Sequence, residues 1–260
     1  MSLLSGGESP FRDDAGSADA QVAATLAAFG AARGSEHAAL TALASSRLLV
    51  PIVATEADGA ADGDTDGAAD RDAAGEADAR EHVGAAVGHH RLGEGERGAE
   101  MSLPTLIGHD GRAAIPAFTS LESMARWRPA ARPVPAQASQ VWRAAADDAC
   151  AVVVDIAGPV PLAIDGARLA ALAEGRPVPR PHEDPDVLAA ATAAAAGLPA
   201  ITGLSAAEGG DCDLRLEVTL AAGCDPAAGH EALQQLGSRL MAHLGSRLRR
   251  GIAIALTPAS

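Results

Sequence analysis

Positive charge meets an aromatic ring at one place in this sequence, where Arg126, Trp127, Arg128 and Arg132 follow closely on Phe118-Thr119-Ser120. Guanidinium groups fork onto carboxylates and stack on indole faces, so this grouping has the chemistry to hold a peptide or another carboxylate ligand. The candidate binding residues are therefore Phe118, Thr119, Ser120, Arg126, Trp127 and Arg128. The plainer alternative places Trp127 in the core and leaves the arginines as solvated charges at a helix end.

No other set of residues assembles a known chemical device. Gly93-Glu94-Gly95-Glu96-Arg97-Gly98 matches G-x-G-x-x-G letter for letter. A dinucleotide site, however, needs a strand that delivers the glycines to a helix N-terminus whose amides face pyrophosphate. Here a strand follows instead, and the two glutamates would repel phosphate, so the match reads as chance in a glycine-rich loop. His82, His89 and His90 lie in the same acidic stretch, but a specific metal site needs ligands on a rigid frame, and only weak adventitious binding is expected. Cys150, Cys212 and Cys224 fall at or near strand ends, with no neighbouring His or Arg spacing that would lower a thiol pKa. There is no G-x-S-x-G elbow, H-E-x-x-H or P-loop. Asp155 interrupts an apolar strand and could be a catalytic carboxylate; the alternative is that it points to solvent or binds backbone at the turn. No catalytic, cofactor-binding or metal-ligating residue is assigned.

The totals restrict partners further. A chain of 260 residues suits one large or two small domains, and two are preferred here. Apolar residues form 48% of it but aromatics only 2%, so the core must be built from Ala, Leu, Val and Ile. There is no Lys, and the net charge of −14 opposes both the phosphate backbone of nucleic acid and an anionic membrane surface. Residues 56–100 hold 13 acidic side chains and 4 arginines, a net of −9. So few hydrophobes accompany them that this stretch is expected to be a disordered acidic insertion. An odd cysteine count argues against a secreted disulfide framework, and Glu8, Asp13, Asp14 and Asp19 are unlike a secretory signal. The longest small-residue run, Val187 to Ala200, is broken by Gly197 and Pro199 and does not suit a membrane span. A soluble cytoplasmic protein, with no nucleic acid or membrane partner, is the expectation.

The elements that must position these residues follow from periodicity and punctuation. Residues 1–16 lack periodicity and read as a flexible tail. Helices are expected over Ala18 to Arg33 and from Ser35 to about Arg47, followed by a strand at Leu48 to Val53 in which Pro51 suggests an edge or a bulge. Met101 to Ile107 and Arg112 to Phe118 alternate around Gly108-His109-Asp110-Gly111 as a β-hairpin. Thr119 and Glu122 stand in capping-box relation before a short helix through Met124 and Trp127. A helix from about Ala136 to Asp148, strands at Ala151 to Ile156 and Val160 to Ile164, and a helix capped by Asp165 and ended by Gly175 complete a unit over 17–175. Residues 176–183 are proline-rich and read as a linker. Beyond it, 184–260 reads α-β-β-α-β: a helix opened by Asp184-Pro185, strands near Leu198 to Leu204 and Leu214 to Leu220, a helix opened by Asp225-Pro226, and a strand at Ile252 to Leu256. Arg247, Arg249 and Arg250 sit at that last helix's C-terminal end, where the macrodipole favours cations. Prolines at 51, 104, 116 and 161 argue against assembly through sheet edges. The fold class is α/β of the α+β type, a mixed sheet with flanking helices plus the smaller C-terminal unit.

Several segments together resemble the SseB family, named for an enhanced serine sensitivity phenotype. They are Phe11-Arg12-Asp13-Asp14 with Gly16 and Ala18-Asp19, Leu48-Leu49-Val50-Pro51, Met101 through Pro104, Gly111-Arg112, Ile115-Pro116-Ala117-Phe118-Thr119-Ser120, Arg126-Trp127, Ala157-Gly158-Pro159 and Leu169 to Gly175. The similarity is to the SseB N-terminal domain over about residues 18–175, and the actinobacterial branch is the nearest in kind. It implies a mixed α/β domain in a cytoplasmic protein and supplies no catalytic residues. The long acidic insertion departs from the compact family pattern. The resulting expectation is a non-enzymatic binding or regulatory module that recognises a protein partner or a small acidic ligand near Phe118 to Arg132. The alternative is an enzyme of unrecognised type linked to amino-acid (serine) metabolism, which the family's name suggests.

Overall fold

A computed structural model of the chain describes Phe11 and residues 14–55, 100–108 and 110–257. The insertion over 56–99, its glycine motif, His82, His89, His90 and most of the expected N-terminal tail lie outside the described residues. The elements in order are α1 (Ala20–Gly30), α2 (Glu36–Leu43), β1 (Arg47–Thr55), β2 (Glu100–Ser102), β3 (Leu106–Ile107), β4 (Ala113–Ala117), α3 (Leu121–Trp127), β5 (Arg132–Gln137) and α4 (Ala138–Asp147). They continue with β6 (Ala151–Val154), β7 (Leu162–Ile164), α5 (Gly166–Ala173), α6 (Pro185–Ala195), β8 (Ile201–Glu208), β9 (Leu214–Leu220), α7 (Pro226–Leu244) and β10 (Ile252–Thr257). The fold is α+β, and the C-terminal elements run α-β-β-α-β as their periodicity predicts.

Three sheets organise these elements, in the orders β2-β1-β5, β3-β4-β6-β7 and β10-β9-β8. One bridge joins the first two: the Leu49 N–H donates to Phe118 O at 2.8 Å and the Phe118 N–H returns to Leu49 O at 2.9 Å. Two residues further along that antiparallel register, Pro51 stands opposite Pro116. Neither has an N–H to give, so β1 and β4 cannot extend their pairing, and the strands part into separate sheets. β1 is central in its sheet as a whole, but at Pro51 it is paired only with β5, since β2 joins from Val53 onward, so the proline does mark a local edge. The same alternation explains β5, which was not expected from Arg-Pro-Val-Pro-Ala-Gln. Pro133 faces Pro51 and Pro135 faces Leu49, positions whose nitrogens point away from the β1–β5 ladder, so the prolines forfeit no bond in it.

The hairpin forms, but its first arm divides. Leu106 and Ile107 pair with Ala114 and Ala113, whereas Glu100–Ser102 turns aside to pair with the end of β1. Asp19, Ser35, Asp184 and Asp225 each cap a helix with a side-chain oxygen. Two caps differ from expectation. α3 begins with a box made by Ser120 and Ser123, not Thr119 and Glu122. Asp165 makes no side-chain cap bond; the α5 N-terminus is capped instead by Asp186 Oδ2, which accepts from the Ala167 N–H at 2.8 Å.

Aliphatic residues dominate the packing. The main core gathers Phe29, Leu40, Leu43, Leu48, Trp142 and Ile164 at 0–1% exposure, and the Trp142 indole N–H finds Ala44 O at 3.3 Å. A second core lies under α6 and α7 against Leu214, Leu216 and Val218. Between the cores, Arg247 reaches Glu36 at 3.1 Å and Asp184 at 2.5 Å, and Arg249 lies 4.6 Å from the Phe29 ring centroid. These arginines therefore hold specific partners on other elements rather than simply facing a helix dipole. Val178 of the proline-rich segment is buried in the main core, and Arg180 pairs with Glu208.

Candidate functional site

The candidate residues gather where β4 leaves its sheet. After Ala117 the chain bridges to β1 at Phe118, and Ser120 caps α3. Ser123 donates its N–H to Ser120 Oγ at 3.1 Å and Ser120 donates its N–H to Ser123 Oγ at 3.3 Å. The Thr119 carbonyl is fixed from outside by Arg47 Nη1 at 2.9 Å, and Arg47 is itself anchored by Asp14 at 2.7 Å. Beneath α3 lies a small apolar cluster of Leu49, Val53, Phe118, Met124 and Ala131, with Trp127 and Ile156 packed against it.

Asp155 anchors this corner from the opposite strand. It follows β6, which runs parallel to β4, and its N–H continues the pairing onto Ala117 O at 2.9 Å. The side chain does not point to solvent: the residue is 6% exposed, and its backbone is left-handed with φ +50. The carboxylate accepts from the Thr119 N–H at 2.9 Å, Thr119 Oγ1 at 2.6 Å and Ser123 Oγ at 2.5 Å. A buried charge is tolerable only with such partners. Thr119 and Ser123 are thus spent holding Asp155, and the Thr119 hydroxyl is not presented to a ligand.

Trp127 is half-buried, with its ring 5.5 Å from that of Phe118, and Arg128 Cζ lies 4.8 Å from the Trp127 ring centroid. Arg126 is exposed and pairs with Glu122 at 2.6 Å. Arg128 and Arg132 have no carboxylate partner among the described residues, although most other arginines of the structure are paired. The Trp127 ring packs against the small apolar cluster and also underlies Arg128. Of the six candidates, Phe118 and Thr119 are buried, Ser120 caps a helix, and Arg126, Trp127 and Arg128 remain accessible.

The largest assembly of charge among the described residues lies elsewhere and was not foreseen. Asp110, Arg112, Asp165, Arg168, Glu36, Arg247 and Asp184 alternate in sign along one chain of contacts, each link 2.5–3.1 Å long. Burial pushes the Glu36 carboxyl above its ordinary value, against the pull of Arg168 and Arg247. Burial also acts to raise Asp165, but Arg168 and Arg112 outweigh it and hold that carboxyl below the usual range. A cleft of about 550 Å³ opens over part of this chain, lined among others by Arg112, Asp165, Arg168, Asp186, His243 and Arg247. Each of its arginines is already matched by an acid. The one hint in the sequence was Glu36 inside the inward-facing pattern of α2.

Among the described residues, no group of three or more His, Cys, Asp or Glu could hold a metal ion. The cysteines are free, and burial pushes the Cys150 thiol up rather than toward a reactive thiolate. Among the described residues no helix is long and apolar enough to cross a membrane. A family model described as the SseB protein N-terminal domain matches residues 22–171, from α1 into α5, and so takes in both N-terminal sheets and the whole candidate surface. No curated protein and no solved structure matches the chain.

Proposed function

The chain belongs to the SseB family, and from that premise we propose that it is a non-enzymatic binding module whose accessible surface is formed by Arg126, Trp127, Arg128 and Arg132. The observation that carries this reading is the stacking of Arg128 on a half-buried Trp127 with no acid among the described residues to neutralise it, in a molecule of net charge −14. A free guanidinium held over an indole presents its edge donors to an incoming carboxylate, and the rigid corner beneath it lowers the entropy lost on binding. The ligand it fits is an acidic segment of a partner protein in the cytoplasm. Thr119 and Ser123 support that surface through Asp155, while Phe118 supplies the floor on which Trp127 rests. Residues 17–175 carry the function in this reading, 184–260 form a second unit with its own core, and 176–183 join them. The actinobacterial branch is part of the same proposal and rests on the segments quoted from the sequence.

Affinity capture from native lysate tests the proposal, using the full chain, a deletion of residues 56–100, and an Arg128→Glu, Arg132→Glu variant. A partner retained by the first two baits and lost from the third is the expected result. A partner retained by all three would move the site elsewhere.

An enzymatic reading has one observation in its favour: Asp155 lies just past the carboxyl ends of the parallel pair β4 and β6, where α/β proteins place their chemistry. Three donors already occupy that carboxylate, which suits an anchor better than a base.

A further inference from the structure

Proteins keep sheet edges from pairing with other chains by making them short, placing proline or charge on them, or bending them with bulges. Five of the six edges among the described residues follow that rule. β2 and β7 have three residues each and β3 has two. β5 carries Pro133 and Pro135. β8 shifts register between Ile201 and Gly203 and ends in Glu208. β10 is the exception, six residues of Ile-Ala-Ile-Ala-Leu-Thr without proline, glycine or charge. It pairs in parallel with β9 on one side, and among the described residues no strand lies on the other.

On the helical face the surroundings of that edge are apolar or neutral. On the other face the nearest charges, Arg215 and Glu217 of β9, stand beside Ala253 and Ala255 and pair with each other at 3.9 Å. Ile252, Ile254 and Leu256 are register partners of Leu214, Leu216 and Val218 and so share the face covered by helices. Ile252 and Ile254 pack on that core, yet Leu256 is 58% exposed. On α7, Leu236, Leu240 and Leu244 face the core while Arg239 turns toward α6 to reach Ala194 O and Ala196 O. At 100° per residue, Met241 falls on the opposite flank, on the β10 side, together with His230, Gln234 and Gly237. Met241 is 52% exposed, so two of the four exposed large apolar side chains of the described residues border this one edge.

We propose that β10 and this flank of α7 form a two-fold interface with a second copy of the chain, in which β10 pairs antiparallel with its counterpart and the two sheets become one of six strands. An open edge of main-chain donors and acceptors calls for an extended strand as occupant. The charge pattern of the patch permits a second copy of the chain to supply that strand. A molecule of net charge −14 repels its own copies over most of its surface, but here neither the edge nor its helical flank sets like charges against each other. A two-fold axis brings the same patch onto itself and closes the assembly, so no further edge is left to propagate.

Sedimentation and light scattering of the full chain across a wide micromolar range test this, with Leu256→Lys and Met241→Lys as variants at solvent-exposed positions. The wild type is expected at twice the 25.9 kDa chain mass, and each variant at the single-chain mass with an unchanged circular dichroism spectrum. Amides 252–257 of the wild type exchange with solvent more slowly as protein concentration rises. If Leu256→Lys fails to fold, Met241→Lys on the helix decides the matter. A wild type that stays at single-chain mass, or a dimer that survives Met241→Lys, overturns the proposal.

Discussion

Asp155 shows how little a residue's type reveals of its task. In the sequence it is an acid at the end of an apolar strand, equally suited to solvent, turn or catalysis; in the fold it ties together β4, β6 and α3. Which donors meet it depends on the parallel pairing of β4 with β6, a contact no local pattern encodes. Replacing Asp155 with Ala leaves the Thr119 N–H and hydroxyl buried without their acceptor and the Ser123 hydroxyl with only Ser120 O, and is expected to lower unfolding stability by about 3 kcal/mol. Urea denaturation measures it, and a loss below about 0.5 kcal/mol would show that Asp155 anchors nothing. Arg128→Ala touches only the stacked surface and leaves the urea midpoint where it is. Trp127 and its arginines were legible because an aromatic among cations is rare here. The mate of that signal, a buried acid holding the loop behind it, was not.

At the scale of elements, helices were the most readable part, since Asp19, Ser35, Asp184 and Asp225 announce their own starts. The two misplaced caps have one cause: sequence spacing cannot tell which of several polar residues tertiary contacts have already engaged. Thr119 is taken by Asp155 and Asp165 by its arginines. Ser120→Ala therefore costs about 1 kcal/mol in thermal unfolding, while Glu122→Ala on the exposed face of α3 leaves the melting temperature unchanged. Prolines misled in the opposite direction. Their effect depends on which way each nitrogen faces, which requires the register, and β5 was missed for that reason. Gly166 adopts φ +54, and a Cβ there would come within 2.2 Å of Asp186 Oδ2. Gly166→Ala combines backbone strain with displacement of the acid that caps α5 and is expected to cost about 2 kcal/mol. A melting temperature equal to wild type would sever that contact from the account.

Across the whole molecule, composition indicated the aliphatic core, but the alternating chain of seven charges between the two cores depends on side chains more than two hundred positions apart, such as Glu36 and Arg247. Its consequence is a pH signature. Burial raises the Glu36 carboxyl, so the folded state holds this proton more tightly than the unfolded chain does. The resulting stabilisation is complete below the ordinary value of 4.5 and is lost as pH rises through the folded value. Wild type is thus expected to lose stability relative to Glu36→Gln as pH climbs above that ordinary value, whereas the depressed Asp165 stabilises above 3.8 and loses its contribution as pH falls. Denaturant midpoints of the two proteins across that range check the sign, and a wild type that gains on Glu36→Gln with rising pH would contradict it.

Binding at the Trp127 and Arg128 surface is tested most directly by the indole N–H signals of the two tryptophans during titration of the full chain with a short polyglutamate peptide. Trp142 is buried and bonded to Ala44, and so serves as an internal reference. The account predicts that the Trp127 signal moves saturably, that the Trp142 signal stays in place, and that Arg128→Ala removes the response. A Trp127 signal that ignores the peptide, or one that moves equally in Arg128→Ala, would contradict it.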